Sequence, residues 1–298
     1  MTQPDLRELI PPGELVEPGQ SPCPGCGGSL ALRLVLKALG PQTAVAMPAR
    51  CPDLGAGSPP RPALRVPVRE AAPGQTAAVA AALRAELDAR GEDDTVVLAW
   101  AGDGEAFDAG LGSLSAAAER NDDILYVCAD HEGRWSAGIR SGAATPWGTW
   151  VPATPTRGPR LRPAKDLMGV LAAHRVPYAA TATVAHPVDL VEKVRRARTI
   201  RGTRFLHVLA PCPPLWGCAS GETVDLARTA VRNRVFPLYE VEDGLRWRLT
   251  AEHPGEPVEA YLLRQARLRR LEAAQIRLIQ SEVDARWEIL QRRVRHGV

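Results

Sequence analysis

The chain has 298 residues, 45% of them hydrophobic, enough to bury a substantial core. A net charge of +3 and a pI near 8.6 are too mildly basic to argue for a nucleic-acid partner. No apolar run approaches the roughly eighteen residues of a membrane span, and the first ten residues carry Asp5, Arg7 and Glu8 where a secretory leader would be apolar, so a cytoplasmic location is expected.

The first motif along the chain is Cys23-Pro24-Gly25-Cys26-Gly27-Gly28. It leads into a predicted helix over 29–39 with Leu30, Leu34 and Val35 on one face, stopped by Gly40. A Pro-rich stretch, 48–67, follows and contains Arg50-Cys51-Pro52. Residues 75–90 are Ala-rich and helical, ending at Gly91 with Arg90 in the last turn. The run TVVLAWA at 95–101 is apolar throughout, as expected of a strand covered on both faces, and Gly102-Asp103-Gly104 comes straight after it. A helix is predicted over 107–119, with Phe107, Leu111, Leu114 and Ala118 at helical spacing. A second buried strand, 124–129, runs into Asp130-His131-Glu132.

After another Pro-rich stretch at 152–163 come a helix near 165–174, a strand near 178–184, a helix at 187–197 and a strand at 205–209. That strand is followed by Pro211-Cys212-Pro213. Residues 258–295 read as a solvated helical tail rich in Arg and Glu, with Tyr261, Leu262, Leu271, Ile276, Ile279, Trp287 and Leu290 as its apolar stripe. Repeated strand-helix-strand units predict an α/β fold, a mostly parallel sheet with helices on both faces. We expect one domain over 1–298, with 257–298 as a C-terminal helical extension.

Ligands of open parallel sheets bind beyond the carboxyl ends of the strands. Asp103, the pair Asp130 and His131, and Cys212 each follow a predicted strand, so three candidate ligand sets share one sheet edge. A lone Gly-Asp-Gly is often only a turn. Followed by a helix, a strand and Asp-His-Glu, it suits a magnesium diphosphate site: glycines admit backbone amides to phosphate, and a carboxylate suits a hard cation. Six cysteines without a secretion signal favour thiols or metal ligands over disulfides. Two thiolates of a Cys-x-x-Cys can grip one metal centre, and Cys51 and Cys212 could close the shell. Zinc and simple burial remain open on spacing alone, although structural zinc sites more often use two paired knuckles. Cys128 reads as a core residue, and Cys218 has no motif of its own.

Five blocks, CPGCGGSLALRLVLKALG from Cys23, AGDGEAFDAGLGSLSAAAERNDDILYVCADHE from Ala101, ATPWG from Ala144, LHVLAPCP from Leu206 and FPLYEVEDG from Phe236, resemble the beta subunit of the 2-oxoacid:ferredoxin oxidoreductases, the pyruvate:ferredoxin oxidoreductase family. The likeness runs in family order over nearly the whole chain. It implies a thiamine-diphosphate-binding fold, thiamine diphosphate with Mg²⁺, and a [4Fe–4S] cluster on Cys23, Cys26, Cys51 and Cys212. Carried over position by position, it puts the cofactor against Gly27, Gly102, Asp103, Gly104, Glu105, Ala106 and Asp130. Mg²⁺ falls to Asp103, His131 and the Gly133 carbonyl, and the substrate to Arg134 and Ser136. The implied reaction is oxidative decarboxylation of a 2-oxoacid, with the acyl group passing to coenzyme A and electrons to ferredoxin. The implied partner is an alpha-type subunit bearing the carboxylate that activates thiamine, with gamma- and delta-type subunits as further candidates.

Two departures bear on function. The family usually has Asn or Thr at the position of His131, and imidazole is a poor ligand for Mg²⁺. The next stretch, usually like Ala-Tyr-Met-Asn-Thr-Gly, is Gly133-Arg134-Trp135-Ser136-Ala137-Gly138 here. Either the enzyme takes an unusual 2-oxoacid, or the chain is a non-catalytic electron-transfer or assembly subunit with a degenerate thiamine site; Arg134 could pair with a second carboxylate on the substrate or simply face solvent. A thiamine enzyme of another type, such as a non-oxidative decarboxylase, would not need four cysteines.

Overall fold

The computed structural model describes residues 9–18, 22–48, 64–136, 138–150 and 158–297, with the backbone alone for 135, 136, 138 and 139. In chain order the first elements are α1 (Gly27–Leu39), β1 (Thr43–Pro48), β2 (Val68–Ala71), α2 (Thr76–Ala89) and β3 (Val96–Gly102). A π-helical turn, Gly104–Ala109, leads to α3 (Leu111–Arg120), β4 (Leu125–Asp130) and the small hairpin β5 (Arg134–Ser136) and β6 (Gly138–Arg140). The second half runs α4 (Leu167–Ala173), β7 (Tyr178–Thr183), α5 (Pro187–Thr199), β8 (Arg204–Leu209), α6 (Pro213–Trp216) and α7 (Thr223–Arg232). It closes with β9 (Tyr239–Glu242), β10 (Arg246–Leu249), α8 (Glu259–Leu262) and α9 (Ala273–His296).

Among the described residues the main sheet has eight strands in the order β10-β9-β7-β8-β4-β3-β1-β2. From β2 to β7 the neighbours are parallel, while β9 and β10 add an antiparallel hairpin at one edge. Strand residues alternate between two cores. Leu98, Trp100, Val127 and Leu206 face the layer of α1 and α5, whereas Val97, Ala99, Tyr126 and Phe205 face that of α2, α3 and α4. Period-two alternation with apolar residues on both faces is what a sheet between two helical layers requires.

Three local differences from the sequence reading have physical causes. The helix expected over 107–119 is preceded by the π-helical turn, in which the Gly110 N–H donates to the Glu105 carbonyl at 2.7 Å. Glycine is needed there, since a Cβ at 110 would lie 2.9 Å from Glu105 Cγ. The short strands β1, β2, β9 and β10 were not expected. The third difference is the tail, which is not one helix. It breaks between Leu262 and Ala273 around a tight turn, Ala266–Leu268, that turns Arg267 and Leu268 inward. With α7 and α6, this segment forms a third apolar cluster containing Leu215, Trp216, Tyr261 and Val283. No helix among the described residues is long and apolar enough to cross a membrane.

Candidate active site

Register brings the motifs together. Gly102 pairs with Ala129, and Asp130 with Leu209, so β3, β4 and β8 end side by side. Asp103, the 130–133 loop and the Cys212 corner therefore emerge on one carboxyl edge of the sheet.

Asp103 is 1% exposed. Its Oδ1 accepts the His131 backbone N–H at 3.2 Å, and His131 Nδ1 stands 3.8 Å from the same oxygen. The other oxygen, Oδ2, is buried without a hydrogen-bond donor. Burial pushes this carboxyl up to about 6; the His131 ring opposes the shift and Asp130 adds to it. A buried, unpartnered carboxylate oxygen carries a larger desolvation cost than the ~1–3 kcal/mol of a neutral acceptor, which a proton or a hard cation removes. The residues present thus fit Mg²⁺.

Asp130 is committed to shaping its loop. Its Oδ1 accepts the Glu132 N–H at 2.7 Å, and its Oδ2 meets His207 Nε2 at 2.6 Å. The His207 ring is fixed between Phe107 and Phe236, with centroids 5.3 and 5.0 Å away. Glu132 adopts a left-handed backbone, φ 57, unusual for a side-chain-bearing residue. It is buried, and burial pushes its carboxyl up to about 7 against the opposing charge of Arg267. Gly133 lies against α6, where an added Cβ would fall 2.6 Å from Leu215 Cδ1.

The remaining cofactor candidates line the start of the π-helical turn. Ala106 is fully buried, and a Cβ on Gly102 would meet nothing closer than 3.9 Å, leaving backbone open on that side. Glu105 accepts from the Thr76 N–H at 3.0 Å and from the Thr76 hydroxyl, fastening the turn to the start of α2. Arg134 lies over Gly104 and Gly142, its Cγ 2.6 and 2.8 Å from where their Cβ atoms would be. Its guanidinium stands 3.8 Å from Asp108, whose Oδ2 also accepts the Ala143 N–H at 3.1 Å. Ser136 is in β5, and its side chain lies outside the described residues.

The cysteine corner is built on the first turn of α1. Cys26 caps that helix, its Sγ accepting the Ser29 N–H at 3.4 Å, and the Cys26 N–H donates to the Cys23 carbonyl at 3.0 Å. The Gly27 N–H then donates to Pro211 O at 2.9 Å, which joins the turn to the chain just before Cys212. Only glycine fits at 27, because a Cβ would lie 2.6 Å from Pro211 N. A cleft of about 450 Å³ lies beside the turn, lined in part by Cys23, Gly25, Cys26 and Ser220. Cys212 is buried and caps α6. Cys51 lies outside the described residues, and among those described no three His, Cys, Asp or Glu side chains converge as a metal-holding group. The two cysteine segments the structure describes adjoin through the Gly27–Pro211 hydrogen bond. Cys128 is a fully buried strand residue.

Sequence reasoning missed the residues that tie this edge to the tail. Trp216 Nε1 donates to the His131 carbonyl at 2.8 Å. Arg267 pairs with the Glu132 carboxylate, donates to the Glu132 carbonyl at 3.3 Å and lies 4.5 Å over the Trp216 ring. No local signal marks Arg267, one arginine in an Arg-rich segment 135 positions from its partner.

Residues 72–208 match the family of thiamine pyrophosphate enzymes, C-terminal TPP binding domain. The chain is 37% identical over 297 residues to the ketoisovalerate oxidoreductase subunit VorB of Pyrococcus horikoshii, covering 96% of this chain and 95% of that one. It is 40% identical over 280 residues to the pyruvate synthase subunit PorB of Methanothermobacter marburgensis, covering 93% and 97%. In fold it resembles a 2-oxoglutarate:ferredoxin oxidoreductase structure from Magnetococcus marinus, with a TM-score of 0.56 at 20% identity over 72% of this chain and 79% of that one. With a thiamine-diphosphate domain in its centre and relatives of this kind along its whole length, the chain belongs to the beta subunits of the 2-oxoacid:ferredoxin oxidoreductases.

Proposed function

We propose that this chain is the catalytic beta subunit of a complex that oxidatively decarboxylates a 2-oxoacid, delivering the acyl group to coenzyme A and electrons to ferredoxin. One observation carries the reading: Asp103 Oδ2, buried without a donor at the strand edge of a thiamine-diphosphate domain. Asp103 and the Gly133 carbonyl would hold Mg²⁺, with His131 beside them. The backbone of 102–106, with Gly27 and Asp130, would receive the diphosphate. Cys23, Cys26, Cys51 and Cys212 would hold a [4Fe–4S] cluster. When bound, thiamine diphosphate supplies the electron sink for decarboxylation and the cluster a one-electron route outward.

This chain's own residues prepare the site. Asp103, His131, Glu132 and Leu215 are each under a tenth exposed. Helix α6 runs from the Cys212 cap to Leu215 against Gly133 and Trp216 on His131, so a single turn links the two candidate centres. Relatives named for ketoisovalerate and pyruvate support a 2-oxoacid as the substrate class. An alpha-type subunit would contribute the activating carboxylate. The test is calorimetric titration of the assembled complex with thiamine diphosphate, with and without Mg²⁺; tight binding only with Mg²⁺ is the expected result.

A second reading, electron transfer or assembly without thiamine chemistry, is favoured by the Arg134 stem lying over Gly104, where a diphosphate would approach. Absence of binding under both conditions would select it.

A further inference from the structure

We infer that Arg267 and Glu132 form a clasp through which the C-terminal segment positions the metal-binding loop, making Arg267 a positioning residue for Mg²⁺ although it stands outside the ligand set. The inference rests on the Mg²⁺ and thiamine diphosphate reading above.

The loop at 131–133 follows a strand but has no ladder partner, so other groups must fix its carbonyls. Trp216 Nε1 holds the His131 carbonyl at 2.8 Å and Arg267 Nη1 the Glu132 carbonyl at 3.3 Å. The next carbonyl is that of Gly133, the proposed Mg²⁺ ligand. With its two predecessors held, Glu132 in a left-handed conformation and Arg134 paired with Arg140 in the β5–β6 hairpin, that third carbonyl is bracketed by fixed backbone on both sides. Arg267 also pairs with the Glu132 carboxylate, which receives the Tyr261 hydroxyl at 3.5 Å.

The clasp is itself held. Gln265 Oε1 accepts from Arg267 Nε at 3.0 Å and Nη2 at 2.7 Å, and Gln265 Nε2 donates to the Tyr261 carbonyl at 3.0 Å. The Trp150 N–H donates to the Arg267 carbonyl at 3.0 Å. The guanidinium stacks 4.5 Å over Trp216, whose indole N–H already grips the loop. The Arg267 side chain is 2% exposed and that of Glu132 9%, so solvent screens the pair little. A planar fork that bonds a carboxylate, a carbonyl and an amide oxygen while stacking on an indole is a task lysine cannot match. Groups that orient ligands are commonly worth roughly 10- to 100-fold in metal affinity.

The test uses the assembled complex and reads the Mg²⁺ concentration that half-saturates thiamine diphosphate binding, with hydrogen exchange of the 130–136 peptide alongside. Arg267→Met should raise the half-saturating Mg²⁺ by at least about tenfold and speed exchange in that peptide. Arg267→Lys, which keeps the charge but loses the fork, should give a smaller rise in the same direction and covers the case in which Arg267→Met fails to fold. Val283→Ala, in the same apolar cluster but away from the loop, should lower Tm and leave the Mg²⁺ requirement unchanged. Wild-type binding with a Mg²⁺ requirement unaltered in both Arg267 variants would overturn the clasp while leaving the thiamine reading standing. A wild-type complex that binds no thiamine diphosphate at any Mg²⁺ concentration would overturn both.

Discussion

Asp103 and His131 meet through a single oxygen: the His131 backbone N–H and imidazole both address Asp103 Oδ1, at 3.2 and 3.8 Å, and Oδ2 receives no donor. The imidazole stands beside Oδ1, at the position where the family usually has a side-chain oxygen ligand. Asp103 alone of the two brings a hard anionic donor, and the first prediction follows from its burial.

Without metal, Asp103 is raised from 3.8 to about 6, and Glu132 from 4.5 to about 7. Raised carboxyls contribute stability that is fully present below their ordinary values and is lost as pH climbs through the raised ones. The metal-free chain should therefore lose thermal stability as pH rises from 5 to 7.5. Added Mg²⁺ should raise Tm at pH 7.5 and have little effect at pH 5, where the proton competes. Asp103→Asn should reduce the pH slope to the part set by Glu132 and abolish both the Mg²⁺ response and thiamine diphosphate binding. A Mg²⁺ shift of equal size at both pH values would argue against Asp103 as the ligand.

The cysteine assignment predicts a brown, oxygen-sensitive protein with about four iron atoms per chain after anaerobic purification. Cys212→Ser should lose or destabilise the cluster, and Cys128→Ser, a fully buried strand position, should keep it. Iron analysis and the visible spectrum decide. Tightly bound zinc in place of iron would remove the assignment.

Gly27→Ala tests the corner without changing a cysteine. Its Cβ would fall 2.6 Å from Pro211 N and 2.8 Å from the Ala210 carbonyl carbon, and backbone cannot yield as a flexible side chain can. Expected outcomes are a lower Tm and a marked loss of iron, as Cys26 moves away from the Cys212 segment. Gly112→Ala is the control: nothing lies within 4 Å of its added Cβ, and Ala should stabilise α3 by about 0.5–1 kcal/mol. Full iron retention in Gly27→Ala would mean that the corner does not set cluster geometry.

Much of this edge was legible because its elements are long and uniformly patterned. The strand at 95–101 and the one at 124–129 are unbroken apolar runs, and each motif sits where its strand stops. What escaped reading was short or remote. β1 is six mostly small residues beside a Pro-rich stretch, and β2 is mostly exposed, so neither shows a clean period. The β9–β10 hairpin did carry a signal, since Asp243 and Gly244 both have positive φ, as the Asp-Gly turn between two strands demands. Arg267 carried none: its burial depends on a chain break ten residues long and on Trp216, and neither shows in the spacing of a charged helix.

Association with a partner is the next expectation. The carboxylate that would activate thiamine is assigned to an alpha-type chain, so the isolated polypeptide should not turn over any 2-oxoacid. Co-expression with an alpha-type subunit should restore coenzyme-A-dependent oxidation, measured as reduction of ferredoxin. Substantial turnover by the purified single chain would refute the assignment.

Arg134 separates the two functional readings. Its charge is already met by Asp108 at 3.8 Å, and with a side chain 41% exposed this pair should contribute no more than about 1 kcal/mol. Arg134→Ala should accordingly fold normally, and any large effect on ligands will be specific. On the proposal that Asp103 and the backbone of 102–106 make the cofactor site, we expect the variant to bind thiamine diphosphate at least as tightly as wild type, with the stem gone from above Gly104. A loss beyond tenfold would instead make the guanidinium a phosphate ligand. The same variant, tested on a panel of 2-oxoacids, reads its second role. If Arg134 receives a second carboxylate, kcat/KM for dicarboxylic 2-oxoacids should fall by at least about tenfold relative to pyruvate, since a charged bidentate contact is worth about 1.5–3 kcal/mol. An unchanged ratio would show that Arg134 serves Asp108 and the loop rather than the substrate.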